Sequence, residues 1–158
     1  MTPRQWYAKP LDVVSAREVP NPWKAVKGAT RPKRLGLAYE KSVARKLIPY
    51  GAVHGMFFEA KLRNGEVFRC SPDILLPWGE EWLIIEIKLS AVDLVWEKLR
   101  NMYEPVVRAS GMKVAGSSVI FKHLRPGFTT NGAALAPGVQ LQWLGGRHTL
   151  APRAISRD

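Results

Sequence analysis

The sequence predicts an α/β domain with a mixed sheet, from the order of its apolar periodicities. A helical apolar stripe covers residues 35–48, and two strand-like segments flanking Asn64-Gly65 follow it. An apolar, β-branched run at 82–89, a second helical stretch from about 90 to 103 and a strand-like run at 117–123 complete the pattern. Periods of 3.6 and 2 residues distinguish these helices and strands, and their succession as helix, three strands, helix, strand predicts a layered α/β core.

Positive charge is the strongest feature of the composition. The chain of 158 residues has 24 Lys and Arg against 13 Asp and Glu, a net charge of +11. Residues 1–46 hold eleven basic and three acidic residues, so +8 of that charge lies in the first third of the chain. A basic excess of this size indicates a polyanionic partner, most often nucleic acid.

Two features that the sequence lacks bear on the cellular compartment expected for the protein. No apolar run reaches the roughly 18 residues that a membrane-spanning helix needs, so we expect no membrane association. Cys70 is the sole cysteine, which excludes an intrachain disulfide and favours the cytoplasm. The three histidines are scattered, and each is predicted to be structural or exposed.

Residues 1–34 are predicted to form a basic, proline-rich N-terminal arm rather than a packed unit. Five prolines interrupt any long helix, and Trp6, Tyr7 and Trp23 alternate with basic residues. Such a mixture suits stacking on bases and contacts with phosphates. The alternative, which we favour, is that these aromatic residues anchor the arm to the domain or to a second subunit.

The helix predicted over residues 35–48 carries an acid on its apolar face. Glu40 falls in the middle of the stripe made by Leu37, Val43, Ala44, Leu47 and Ile48. A carboxylate there needs a partner, which can be a metal ion or a salt bridge within the core. Pro49 and Gly51 are expected to end the helix.

Residues 53–62 and 66–74 are predicted to form a hairpin. Asn64-Gly65 is a favoured pair for a type I′ turn, and closing the hairpin on it pairs Leu62 with Val67. In that register Arg69 shares a face with Asp73, whereas Glu59 faces the other way and is not expected to bind a metal.

The segment 71–88 is predicted to form strand, turn and strand, and it carries the chemistry. Asp73 follows Pro72, and Glu86 and Lys88 lie two residues apart within the apolar run, so their side chains leave the same face of a central strand. Buried charges need compensation. Carboxylate oxygens are the ligands that Mg²⁺ prefers, and a lysine beside them can orient a water or neutralise charge on a phosphoryl group. The alternative is a structural Glu86–Lys88 pair.

The second helix is predicted to begin with the capping sequence Ser90-Ala91-Val92-Asp93 and to run to about Tyr103, where Pro105 kinks or stops it. Its buried stripe is Val92, Val95, Leu99 and Met102. Residues 139–144 suit a last edge strand, and residues 146–158 are predicted to form a flexible tail, which leaves 35–145 as the domain.

These residues resemble the motif of the PD-(D/E)XK nuclease superfamily. The resemblance consists of Pro72-Asp73, then Glu86-Ile87-Lys88 after twelve intervening residues, with Glu40 on the preceding helix. It implies a restriction-endonuclease-like core, with Asp73, Glu86, Lys88 and Glu40 as catalytic residues. It also implies Mg²⁺ or Mn²⁺ held by Asp73, Glu86, the Ile87 carbonyl and Glu40. Leu99 occupies the position at which some branches carry the Gln of a Gln-x-x-x-Tyr motif, which argues against those exonuclease-like branches.

The resemblance implies a metal-dependent DNA endonuclease in a bacterial or phage-infected cytoplasm. Within the superfamily the chain is most similar to a small junction-resolving phage enzyme, which implies selectivity for branched DNA and a homodimer linked through the N-terminal part. Its Asp-to-Glu spacing is a few residues longer than in that enzyme, and its C-terminal part has no alignable likeness. The alternatives are a general, nicking or exonucleolytic enzyme on linear DNA, and a non-catalytic binding module. The residues predicted to contact nucleic acid are Lys33, Arg34, Lys41, Arg45, Arg69, Arg100 and Tyr103.

Overall fold

A four-stranded mixed sheet is the middle layer of the molecule. The structure is a computed structural model, and it describes residues 8–22, 30–90, 95–123, 141–144 and 147–150. In chain order the elements are β1 (Val13–Val19), α1 (Arg31–Leu47), a 3₁₀ turn (Ile48–Tyr50), β2 (Val53–His54), β3 (Phe57–Leu62), β4 (Val67–Cys70), β5 (Ile74–Trp78), β6 (Glu81–Ser90), α2 (Val95–Lys98), a π-helical turn (Leu99–Tyr103), α3 (Glu104–Ala109), β7 (Val114–His123), β8 (Leu141–Leu144) and β9 (Arg147–Leu150). The predicted α/β class is confirmed.

Strand β6 is the centre of this sheet, whose strand order is β2-β5-β6-β7. It pairs antiparallel with β5 and parallel with β7, so the sheet is mixed as predicted. Residues 83–87 are all buried, because both faces of the strand are covered. The prediction of a central strand flanked by a tight turn is confirmed.

Each face of the middle sheet buries its own core. Helix α1 packs Val43, Ala44 and Leu47 against the β6 face formed by Leu83, Ile85 and Ile87. The other face, which includes Ile84, contacts the helical segment 95–109 and the three-stranded sheet β1-β3-β4. Glu86 and Lys88 share this second face, because side chains alternate along a strand.

Helix α1 begins four residues earlier than predicted. Pro32 lies in its first turn, where the missing N–H has no intrahelical partner to lose, so the proline starts the helix rather than preventing it. At the other end Gly51 adopts a left-handed conformation with a φ of 86°. A Cβ at Gly51 would lie 3.1 Å from the Pro77 ring, so the end of the helix packs closely on β5.

The predicted hairpin of residues 53–62 and 66–74 is divided between two sheets, because β2 pairs with β5 in the four-stranded sheet and β3 pairs with β4 in the three-stranded sheet. The β3–β4 hairpin has a register one residue away from the predicted one. Lys61, not Leu62, pairs with Val67. Gly65 has a φ of 89°, but no residue other than glycine in the described part of the chain has a positive φ, so Asn64 does not adopt the conformation of a type I′ turn. The loop therefore contains three residues, as in a type I turn with a bulge at the glycine, and the extra residue shifts the pairing.

The shifted register reassigns the faces of this hairpin. Phe58 and Ala60 face the core with Phe68 and Cys70. Arg69 pairs with Glu59 on the outer face and does not share a face with Asp73, which corrects the prediction.

Pro105 does not end the second helix. The chain passes through a π-helical turn at Leu99–Tyr103 and continues as α3, in whose first turn the proline lies. The wider turn accommodates the proline, which cannot donate the usual hydrogen bond and would clash in a regular helix. Val95, Leu99 and Met102 are buried as predicted.

Part of the predicted arm belongs to the folded body. Residues 13–19 form β1, which pairs antiparallel with β3, and the Leu11 amide donates to the Asn101 carbonyl at 2.8 Å. Apolar Leu11, Val13 and Ala16 pack on the core between the sheets. Spaced prolines exclude a helix here, but they permit a strand between Pro10 and Pro20.

Several predicted features lie outside the described residues: the aromatic residues of the arm, residues 91–93 of the capping sequence, and the segments 124–140, 145–146 and 151–158. Ser90, predicted to begin the helix cap, is instead the last residue of β6 and pairs with His123. Strand β9 covers residues 147–150 of the predicted tail and pairs with β8. In the part of the chain described here, no helix is long and apolar enough to cross a bilayer.

Candidate metal-binding active site

The pairing of β5 with β6 brings Asp73 and Glu86 together. Ile74 pairs with Ile85, so Asp73, one residue before β5, lies opposite Glu86. The Ile87 amide donates to Asp73 Oδ2 at 2.7 Å. On its other side, Asp73 accepts a bond through its backbone carbonyl from the Gly55 amide, which ties it to the end of β2. Backbone bonds on both sides thus fix the aspartate where the sheet begins.

Glu86 is the most buried charge of the site and is held by two lysines. Its side chain is 1% exposed, and Lys88 Nζ and Lys98 Nζ both lie 3.0 Å from Glu86 Oε1. The second oxygen, Glu86 Oε2, is buried and has no hydrogen-bond partner among the described residues. A buried carboxylate oxygen without a partner is costly. Glu97 Oε2 on the second helix is in the same state, so Glu86 Oε2 is distinguished by its place opposite Asp73, where an additional ligand could satisfy both acids.

Glu40 approaches from helix α1. Its Oε1 lies 2.8 Å from His54 Nε2 on β2, and His54 pairs with Ile74, the neighbour of Asp73. The carboxylate is partly exposed, at 22%. Helix α1 therefore supplies a third acid, which His54 orients. Of the apolar stripe predicted around Glu40, Val43, Ala44 and Leu47 are buried, but Leu37 and Ile48 are 44% and 55% exposed, which corrects that part of the prediction.

The electrostatic environment of Asp73 reflects this convergence. Burial, followed by the negative charges of Glu86 and Glu40, raises its pKa from 3.8 to about 8, although the Ile87 amide and Lys88 oppose the shift. A cation bound beside Asp73 would lower the repulsion that Glu86 and Glu40 exert on its carboxylate. At neutral pH without such a cation, Asp73 is mainly protonated.

Lys88 remains charged in this setting. Burial lowers its pKa, but the carboxylates of Glu86, Asp73 and Glu40 together outweigh burial, so the net pKa lies above 10.5. A lysine in this state acts as a fixed cation and not as a base.

Lys98 and Tyr103 form a second layer around Glu86. Lys98 Nζ lies 4.8 Å from the centroid of the Tyr103 ring, within cation–π distance. The buried Tyr103 donates its hydroxyl to the Ser71 carbonyl at 3.3 Å, two residues before Asp73. Cys70 is buried nearby, and burial raises the pKa of its thiol to about 12, so it stays a neutral thiol.

The predicted nucleic-acid contacts do not form one surface. Arg34, Lys41 and Arg45 are exposed and recur at spacings of seven and four, so they form one stripe on the face of α1 opposite Glu40. Lys33 is exposed near the start of α1, and Arg100 is exposed on the second helix. Arg69 is ion-paired with Glu59 on the outer face of the three-stranded sheet, and Tyr103 is buried.

The acids fit a hard divalent cation, although they are not arranged as a finished site. Among the described residues, no three His, Cys, Asp or Glu side chains already form a metal-binding group. Instead, lysines, His54 and a backbone amide occupy one oxygen of each acid. The donors available to a cation are carboxylate oxygens, the ligand type that Mg²⁺ and Mn²⁺ take, and Glu86 Oε2 is buried without a donor from the described residues.

Sequence reasoning missed two members of the site. Lys98 lies beside Val95 and Met102 on the buried stripe of the second helix. A charged side chain on an apolar stripe is the feature that identified Glu40, so it could have identified Lys98 as well. For His54 the sequence carries no comparable signal, because its partner Glu40 is fourteen residues away on a different element.

No family model, curated protein or solved structure matches this chain. What the protein does has to follow from its own residues.

Proposed function

We propose that the protein is a metal-dependent nuclease of the PD-(D/E)XK type that hydrolyses phosphodiester bonds in DNA. The observation that carries the proposal is Glu86, a fully buried carboxylate with one oxygen unpartnered by the described residues, opposite Asp73, on which Glu86 and Glu40 both act electrostatically. The order of helix, antiparallel strands, helix and parallel strand around it supports a restriction-endonuclease-like core. The net charge of +11 suits a polyanionic substrate.

In this proposal Asp73, Glu86, the Ile87 carbonyl and Glu40 hold Mg²⁺ or Mn²⁺. When bound, such an ion lowers the pKa of a coordinated water and neutralises charge on phosphoryl oxygens. Lys88, fixed on Glu86 and protonated, orients the attacking water and stabilises charge on the phosphate. The water oxygen would form a bond to phosphorus and give up one proton to solvent, the bond from phosphorus to the leaving oxygen would break, and that oxygen would take up a proton from solvent.

The test is cleavage of linear, nicked and four-way DNA with Mg²⁺ and with EDTA. Asp73→Asn removes the negative charge but retains an acceptor for the Ile87 amide, so the fold is preserved while cleavage is abolished. Glu59→Gln is the matched control, since Glu59 is also an acid with two cationic partners but lies outside the site. Wild-type cleavage by Asp73→Asn would refute the assignment.

Branched-DNA selectivity is the narrower form of the proposal. A junction-resolving enzyme must present two sites symmetrically, which requires a two-fold dimer. We expect a dimer that cuts four-way junctions in paired strands faster than a linear duplex of the same sequence. A monomer that degrades linear DNA equally well would leave a general nuclease.

A non-catalytic binding module is the second candidate, and the two lysines on Glu86 favour it. Because two ammonium groups already neutralise Glu86, a metal ion would gain less electrostatic stabilisation at this site. This candidate is distinguished by DNA binding that is unaffected by Mg²⁺ and by the absence of cleavage of any substrate.

A further inference from the structure

Two lysines meet at a single oxygen of Glu86. Lys88 and Lys98 both contact Oε1 of a carboxylate that is 1% exposed, whereas the lysine side chains are 34% and 25% exposed. Like charges held this close repel each other. Asp73 and Glu40 also act on Lys88, so the two lysines balance the acids of the whole site, and a divalent cation bound by those acids would compete with them.

The two lysines belong to different secondary-structure elements. Lys88 shares β6 with Glu86, two residues away on the same face, so the strand itself fixes their proximity. Lys98 belongs to the second helix and reaches Glu86 from outside the sheet. Both side chains are partly exposed, Lys88 at 34% and Lys98 at 25%, so the difference lies in the element that carries each lysine: no strand holds Lys98 beside Glu86.

Lys98 has a second favourable contact besides Glu86. In the same conformation its Nζ lies over the Tyr103 ring, 4.8 Å from the ring centroid. In a regular α-helix, residues five apart point in directions about 140° apart, whereas the wider π-helical turn brings them onto nearly the same face. The π turn at Leu99–Tyr103 thus aligns this lysine with an aromatic face that stabilises an ammonium group independently of Glu86.

We propose that Lys98 is an exchangeable counter-ion. It occupies Glu86 in the metal-free protein, and a divalent cation that binds the acids displaces it, which frees its ammonium group to contact a phosphate of the nucleic acid. The inference rests on the proposed function. It adds that metal binding and phosphate binding are coupled through one side chain, so that the protein acquires its full affinity for substrate only when the metal is present.

The first experiment measures metal affinity directly, by calorimetric titration of the full chain with Mn²⁺. Lys98→Met removes both a competitor for Glu86 and a repelling charge, so we expect Mn²⁺ to bind about tenfold more tightly. Lys98→Arg retains the charge and should resemble the wild type. Lys61→Met, which removes an exposed lysine on β3, is the matched control and should not change the affinity. Lys98→Gln repeats the test should the methionine variant unfold.

The second experiment measures binding of duplex DNA against salt concentration, with Ca²⁺ or with EDTA. With Ca²⁺, Lys98→Met neutralises one phosphate fewer than the wild type, so the slope of log K against log salt should be shallower by about 0.9. With EDTA, Lys98 remains on Glu86, so the two slopes should agree. An equal difference in both conditions, or in neither, would overturn the exchange.

The outcomes separate this inference from the proposed function. Unchanged or weaker Mn²⁺ binding in Lys98→Met, with cleavage by the wild type intact, refutes the exchange and leaves the nuclease. Tighter Mn²⁺ binding in a protein that cleaves no nucleic acid supports the exchange and refutes the nuclease. A wild-type chain that binds no Mn²⁺ refutes both.

Discussion

Two glutamates in this molecule each have two cationic partners, and they differ in how those partners are arranged. Glu59, on the outer face of the three-stranded sheet, receives Arg17 at Oε1 and Arg69 at Oε2. Glu86, in the middle sheet, receives both lysines at Oε1 and has a buried Oε2 without a partner among the described residues. Their side-chain exposures are 23% and 1%.

The difference separates a surface ion-pair network from a binding site. Each oxygen of Glu59 already has a donor, and solvent screens its charge, so further ligands gain little there. Glu86 lies where interactions are strong and screening is weak, and it retains an acceptor that no described protein group satisfies. Glu59 and Glu86 each form two ion pairs. They differ because the donors of Glu59 are spread over both carboxylate oxygens, whereas those of Glu86 share one.

The largest difference in cleavage rate should appear between two variants in which Glu86 or Glu59 is replaced by glutamine. Glu86→Gln removes a proposed metal ligand, so we expect cleavage to fall by at least about a hundredfold. Glu59→Gln should leave the cleavage rate within about twofold of the wild type, because surface substitutions away from the site change little. Gel assays at saturating Mg²⁺ check this, and melting curves of both variants verify folding. Equal rates would remove the functional distinction between the glutamates.

Without metal, Asp73→Asn should stabilise the protein. At pH 7 the wild-type carboxyl must keep a proton that it lacks in the unfolded chain, and the amide avoids that cost, which we expect to be on the order of 4 kcal/mol. Chemical unfolding in EDTA measures the gain. Added Mg²⁺ should stabilise the wild type but not the variant. A variant that is less stable than the wild type in EDTA would contradict the proposed repulsion among the acids.

The pH dependence of stability should have opposite signs at the two sites. Because the pKa of Asp73 is raised from 3.8 to about 8, the folded state binds the extra proton, and metal-free stability should fall as pH rises through this range. The hydrogen bonds from Arg17 and Arg69 lower the pKa of Glu59, so its contribution should be lost as pH falls into the acid range. In a plot of stability against pH, Asp73→Asn should remove the fall toward high pH, and Glu59→Gln should reduce the fall toward low pH. Unfolding midpoints between about pH 3 and pH 9 would reveal a failure of either assignment.

The smallest effect concerns the basic residues outside the site. Replacing Arg34, Lys41 and Arg45 by glutamine should reduce the salt slope of DNA binding by about 0.9 for each phosphate that the variant no longer neutralises. Arg69→Gln should change the slope less, because Glu59 already neutralises that guanidinium. Fluorescence anisotropy at several salt concentrations makes the comparison. A larger change for Arg69 would move the DNA path to the outer face of the three-stranded sheet.

Local patterns predicted the parts of the fold that depend on short-range constraints. The apolar run containing Glu86 and Lys88 indicated a buried strand with both charges on one face, and the structure has this arrangement. The start of α1 and the β3–β4 register were predicted incorrectly, since both depend on how a single residue, Pro32 or Asn64, is used in its turn. Strand β1 was missed because its pairing partner lies some forty residues away.

The sequence alone determined which charges lie on the inward faces of their elements, because an acid or a lysine inside an apolar stripe or run must point toward the core wherever that element lies; of these charges only Glu86 is fully buried. This reasoning singled out Glu40, Glu86 and Lys88, and it would have singled out Lys98. Only the tertiary structure decided which of these groups meet. The register of β5 on β6 sets Asp73 opposite Glu86, the His54 contact fixes Glu40, and the π turn directs Lys98. Contacts between distant elements depend on packing and register, which no local periodicity encodes.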